Sequence, residues 1–188
     1  MQPNSPNEDA VDGPLASETH ARVLDVLERR PIGREIHALS EPSLYLVRAR
    51  LNPNFNCEAG DYLSMESGNV GPLSELRFRD LSGDANSTLE DAMQESIRVN
   101  PDPHIGFFNR ANNISLKVHS FQLLPGVGSS TAQSWVKIRG QNGWVDLAEV
   151  SEKLGVEVVD LLAERYVGEL ADPAEVPSLL DLLVRVSA

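Results

Sequence analysis

Between residues 124 and 132 the chain reads LPGVGSSTA, and here residue types and spacing most clearly allow chemistry. Pro125 presets its own backbone angle, while Gly126 and Gly128 permit positive φ or a close backbone approach. A glycine turn that runs straight into a helix leaves the first amides of that helix unobstructed. The N–H groups of Gly128, Ser129 and Ser130 can then converge on one phosphate oxygen, favoured by the positive end of the helix dipole. The two serine hydroxyls can add hydrogen bonds. Contacts of this kind position a phosphate backbone without reading its sequence.

Two helices must hold such a bend, and residues 114–139, ISLKVHSFQLLPGVGSSTAQSWVKIR, have the pattern for them. Leu116, Phe121, Leu123 and Leu124 supply the apolar side of a first helix, and Val127 plugs the turn. Ala132, Trp135 and Val136 recur at helical spacing for the buried face of a second. Hydrophobic-Pro-Gly-hydrophobic-Gly between two amphipathic helices is the helix-hairpin-helix signature, placed at residues 116–139. A weaker pair follows. Asp146 can cap a helix bearing Leu147, Val150 and Leu154, Gly155 turns the chain, and Val159, Leu162 and Tyr166 carry the stripe to about residue 170. Asp172-Pro173 breaks it, and residues 179–186 read as a last strand or a short helix.

The formal charge of −12, from 16 basic and 28 acidic residues, opposes any polyanion. Its distribution localises the objection. From residue 103 to 145 there is no Asp or Glu, while Arg110, Lys117, Lys137 and Arg139 lie inside that window. Fields of exposed charges fade over ~8 Å at physiological salt, so a local basic face can still hold a phosphate. Asn109 joins these candidates, with a bond to loop backbone as its alternative use. His119 reads as a hydrogen-bonded packing residue rather than an acid or base.

The first half carries short apolar segments between turn residues: 43–51 and 61–66 read as strands, 73–81 as another, and 21–27 as a strand or short helix. Strands at this spacing suggest a small barrel or curled sheet. Ser87 or Thr88 can cap a helix over 89–99, which Asn100-Pro101-Asp102-Pro103 ends. The expected organisation is an acidic, disordered tail over 1–18, a strand-rich domain with a C-terminal helix over 19–102, and a helical domain over 103–188. No run approaches the ~20 apolar residues of a membrane span, and residues 1–18 lack the pattern of a signal peptide. A cytoplasmic location is therefore expected, without a membrane partner. Cys57 is the sole cysteine, which excludes an intramolecular disulfide and multi-cysteine zinc sites, and the four histidines lack ligand spacing. No metal and no cofactor are expected.

The run from residue 104 to 128, HIGFFNRANNISLKVHSFQLLPGVG, resembles the hallmark segment of an archaeal family, domain of unknown function 655. Phe107, Phe108, Asn109 and Ala111 match its Phe-Phe-Asn-x-Ala part. His119 and Leu123-Leu124-Pro125-Gly126-Val127-Gly128 match its later part, with Val118 in place of a leucine. Fainter similarity reaches residues 23–25, 43–50, 163–165 and 183–186. The resemblance implies an α+β protein: a small OB-like β-barrel followed by a helical domain with tandem helix-hairpin-helix motifs, its last strand able to return to the barrel. It implies nucleic-acid binding, and RNA ahead of DNA, because genes of the family sit among translation and ribosome-maturation genes. The chain departs from its relatives at Ser129 and Ser130, where such hairpins carry lysine or arginine, and in a less basic barrel.

Three functional readings follow. The first is a non-catalytic nucleic-acid-binding protein that grips phosphate through Gly126, Val127, Gly128, Ser129, Ser130, Lys117, Lys137, Arg139, Arg110 and Asn109. The second is an adaptor for ribosomal or transcription proteins. The third is a base-excision glycosylase, which LPGVGSSTA also resembles. Against that enzyme, Ser130 occupies the position of the Schiff-base lysine, and Asp146 is already explained as a helix cap.

Overall fold

In this computed structural model residues 13–186 are described. Strands β1 (His20–Arg29) and β2 (Gly33–Glu41) form an antiparallel hairpin, extended by β3 (Leu46–Arg50), β4 (Tyr62–Ser64) and β5 (Ser74–Glu75). The sheet order is β4-β1-β2-β3-β5. Each face carries an apolar cluster over much of its length, so alternation along each strand divides the side chains between two clusters. Leu24, Leu39 and Leu46 face the helices, whereas Val23, Ile36, Ala38, Val47 and Ala49 face a smaller cluster covered by Phe55, Leu63 and Leu73. Where a small OB-like barrel or curled sheet was expected, the sheet is open. The outermost strands β4 and β5 have three and two residues, and they do not pair with each other.

Helix α1 (Gly83–Val99) starts six residues before the expected 89. Ser82 is its cap: its hydroxyl accepts the Ala85 N–H at 3.1 Å and reaches Asp25 of β1 at 2.6 Å. The supposed caps serve elsewhere, with Thr88 donating to the carbonyl of Leu24 at 2.9 Å. The Pro101 and Pro103 break turns out to begin α2 (Asp102–Arg110), because proline is tolerated in a helix's first turn. Helices α3 (Ser129–Arg139), α4 (Leu147–Leu154) and α5 (Val158–Ala171) follow. Asp146 caps α4, and Gly155 (φ 71°) closes it in the left-handed region that glycine enters freely.

One core runs through both halves of the chain. It joins Leu24 and Leu39 of the sheet to Leu89 and Met93 of α1, then to Phe108, Phe121, Trp135, Leu162 and Tyr166. Each such side chain contributes roughly 1.5–3 kcal/mol when fully buried. Of the tail expected over 1–18, residues 1–12 lie outside the described residues, whereas 13–18 form a turn that sets Leu15 against the smaller cluster. At the other end no returning strand forms among the described residues. Residues Leu180–Val184 make a short π-helical turn, after which the Arg185 guanidinium donates to the carbonyls of Ser43 and Leu44 at 3.0 and 2.9 Å. The chain does return to the sheet, through a side chain. Among the described residues no helix is long and apolar enough to cross a membrane.

Candidate nucleic-acid interface

The bend at residues 125–128 is exposed at Gly126 and Gly128 and buried at Val127, which plugs the turn against the core. Gly126 takes φ 73°, a conformation that needs glycine here. Gly128 stands at the start of α3, where no side chain caps the helix and no acidic residue occupies the first turn. Ser129, Ser130 and Thr131 are exposed. Their amides have no partner within the helix.

The expected first helix of the hairpin does not form. Residues 113–119 make a finger closed by a bridge between Asn113 and His119, with Leu116 fully exposed at 102%. Only Ser120–Leu123 is helical, as a 3₁₀ turn. Its start is closed reciprocally: His119 Nδ1 accepts the Phe121 N–H at 3.1 Å, and Gln122 Oε1 accepts the His119 N–H at 2.9 Å. His119 also packs on the Phe121 ring, centroids 4.6 Å apart. Burial, with the Arg139 charge next in importance, lowers its pKa and favours the neutral ring.

Between the finger and α3 lies a groove of about 370 Å³ lined by Lys117, His119, Ser129, Gln133 and Lys137, with Leu116 at its rim. No carboxylate lines it. Ser129, Gln133 and Lys137 lie four residues apart on one helical face. Gln133 was not among the sequence candidates, although that spacing places it with the other two. On the opposite flank of the bend the setting changes: Gly126, Val127 and Gly128 share a groove with Glu164, Arg165 and Glu175. Arg165 is itself tied to Glu169 at 2.7 Å and to Glu175, so that flank is acidic.

The remaining candidates separate from this groove. Arg139 donates to the carbonyls of Phe108 and Ala111 at 3.1 and 2.8 Å and lies over the Phe121 ring, which fixes the end of α2 against α3. Asn109 bonds loop backbone, giving its amide N–H to the Trp144 carbonyl at 2.9 Å and accepting the Trp144 N–H at 2.8 Å. Arg110 is exposed, with its guanidinium folded back over Gly106, where a Cβ would stand 2.6 Å from Nη2. The other buried histidines support packing. His104 shares a hydrogen bond with the Tyr166 hydroxyl at 2.9 Å, and burial holds its pKa down to about 4. His37 accepts the Ser82 N–H at 3.2 Å.

The model of a family described as protein of unknown function, DUF655, matches residues 18–177. The chain belongs to the DUF655 family. Among curated proteins it is similar to the uncharacterised protein MJ0038 of Methanocaldococcus jannaschii, 24% identical over 167 residues that cover 85% of this chain and 77% of that protein. Among solved structures it is similar to Af1531 of Archaeoglobus fulgidus, a DUF655 family crystal structure, with a TM-score of 0.78 at 21% identity. That likeness covers 87% of this chain and 99% of Af1531, and it establishes a shared fold. The motifs of residues 104–128 thus lie within the matched region, and both of these relatives are archaeal.

Proposed function

We propose that this DUF655 protein is a non-catalytic nucleic-acid-binding protein that holds the phosphate backbone in the groove between the 113–119 finger and α3. One observation carries the reading: Lys117 and Lys137 converge, without a carboxylate, on a groove that opens beside an uncapped helix start. In this arrangement Lys117 and Lys137 neutralise phosphate charge, Ser129 and Gln133 donate hydrogen bonds, and the amides after Gly128 bind an oxygen at the positive end of α3. Each charge-assisted bond of this kind contributes roughly 1.5–3 kcal/mol. The bend and α3 then act as the phosphate-holding half of a helix-hairpin-helix in which a 3₁₀ turn replaces the first helix. The pair α4 and α5 is its packing companion, and the curled sheet is an open OB-like platform. RNA is the favoured ligand over DNA.

The roles of His37, His104 and His119 in packing and capping support binding rather than catalysis. The test is filter binding to RNA, single-stranded DNA and duplex across a salt series, with Lys117→Ala and Lys137→Ala. Each variant should weaken all ligands and reduce the salt slope by about 0.7 for single strands. Unchanged slopes in both variants, with the fold intact, would exclude the groove as the phosphate site. Capture of a nuclease-resistant protein complex by the same variants would point to an adaptor instead.

A further inference from the structure

In an acid-rich chain most basic side chains find partners. Arg22 and Arg165 are held in buried ion pairs, and Arg34 donates to the carbonyls of Pro53 and Phe55. Outside the acid-free window, the side chains of Arg30, Arg48, Arg50 and Lys153 make no hydrogen bond or ion pair among the described residues, and all but Lys153 stand at one end of the sheet. Arg48 and Arg50 alternate along β3 on the face that also carries Leu46, opposite His37 and Glu35 of β2. That face is covered by α1 only as far as His37, where Ser82 starts the helix. Beyond this point the sheet forms an open shelf, a groove of about 490 Å³ lined by Ile32, Glu35, Arg48, Arg50, Pro72 and Ser74. Its one carboxylate, Glu35, is taken by Arg29 of β1 at 3.4 Å and lies 3.8 Å from His37 Nε2.

We infer that this shelf is a second phosphodiester-binding site, in which Arg48 and Arg50 hold neighbouring phosphates of one nucleic-acid strand. The inference rests on the proposed function for the class of ligand and shares no residue with its groove. Residues two apart on a strand project on the same face about 6.6–6.8 Å apart, close to the separation of successive phosphates along a strand. Guanidinium groups suit the task because their planar donors engage a phosphate bidentately. An exposed arginine pair left without an internal carboxylate, in a chain of net charge −12, is one that an external anion can complete.

The experiment measures binding of a single-stranded 20-mer of uridine RNA, and of the matching DNA, over a salt series. It uses the full chain, Arg48→Ala with Arg50→Ala, and Arg77→Ala with Arg79→Ala as a control of equal charge change at residues that pair with Asp80. The shelf variant should lower the salt slope by about 1.4, two phosphates' worth for a single strand, while the control leaves it unchanged. RNA and DNA arms losing equally would mark contacts to phosphate, and a larger RNA loss would add the ribose. An unchanged slope, or an equal loss in the control, overturns the inference. If Lys137→Glu is inert while the shelf variant loses slope, the α3 groove fails and the shelf stands. If Lys137→Glu alone weakens binding, the reverse holds.

Discussion

Helices α3 and α4 begin under the same electrostatic demand and meet it in opposite ways. At α4 the chain closes its own start: Asp146 accepts the Glu149 N–H at 2.8 Å, and Glu149 returns to the Val145 N–H at 2.7 Å. That reciprocal pairing satisfies orphan donors and brings negative charge to the positive helix end. At α3 the cap is Gly128, nothing closes it, and the first turn has no acid. The contrast teaches that a helix start is available to an external anion only where the chain has supplied none of its own. A chain of net charge −12 keeps a basic recess here because residues 103–145 contain no Asp or Glu.

The largest effect is expected from lowering the pH, which acts on the contact of His104 in α2 with Tyr166 in α5. Burial holds His104 near 4, below its ordinary value, so the unfolded chain takes up that proton first as the pH falls. Its contribution is complete above about pH 6.5 and is lost progressively towards about pH 4, up to roughly 3 kcal/mol. Urea unfolding at pH 7 and pH 4.5 checks this, with His104→Gln expected to lower stability at pH 7 and flatten the acid slope. Next in size, Gly155→Ala places a side chain at φ 71° and should cost about 1–2 kcal/mol without altering nucleic-acid binding. A binding defect in this variant would mean that the second hairpin grips ligand too.

Gly128→Asp attacks the contrast directly by giving α3 the carboxylate that α4 already has. The backbone there is extended at φ −88°, and a Cβ would meet nothing within 4 Å. The fold should hold or gain a few tenths of a kcal/mol, while affinity for RNA falls about tenfold, ~1.4 kcal/mol. Undiminished affinity would place the ligand away from this helix start. The smallest change is expected from Asp146→Ala, about 1 kcal/mol of stability by thermal unfolding and no change in binding.

The α4, Gly155 and α5 reading was legible because cap, apolar stripe and glycine stop all agree within one short segment. The bend itself was legible for the same reason. What failed were places where a local signal had two structural uses. Pro101 and Pro103 read as a helix end, and α1 does stop at Val99, but the same prolines also open α2. Strand β2 escaped notice because its helix-facing positions include Glu35 and His37, which mask the alternation of Ile36 and Ala38. Leu116 belongs to the expected apolar stripe, yet it has no neighbour to pack on, and the finger replaces the helix. Among the site residues, Arg139 looked like a surface cation because nothing in the sequence places the carbonyls of Phe108 and Ala111 beside it.

Arg185 binds the carbonyls of residues met 142 and 141 positions earlier, and its guanidinium lies 4.1 Å from the Tyr45 ring centroid. The turn it secures contains Leu44 at φ 57°, a conformation that costs a non-glycine residue of order 1–3 kcal/mol. During synthesis that support arrives only once residue 185 has been translated. A nascent chain halted before residue 185 would therefore present an unsecured β2–β3 corner.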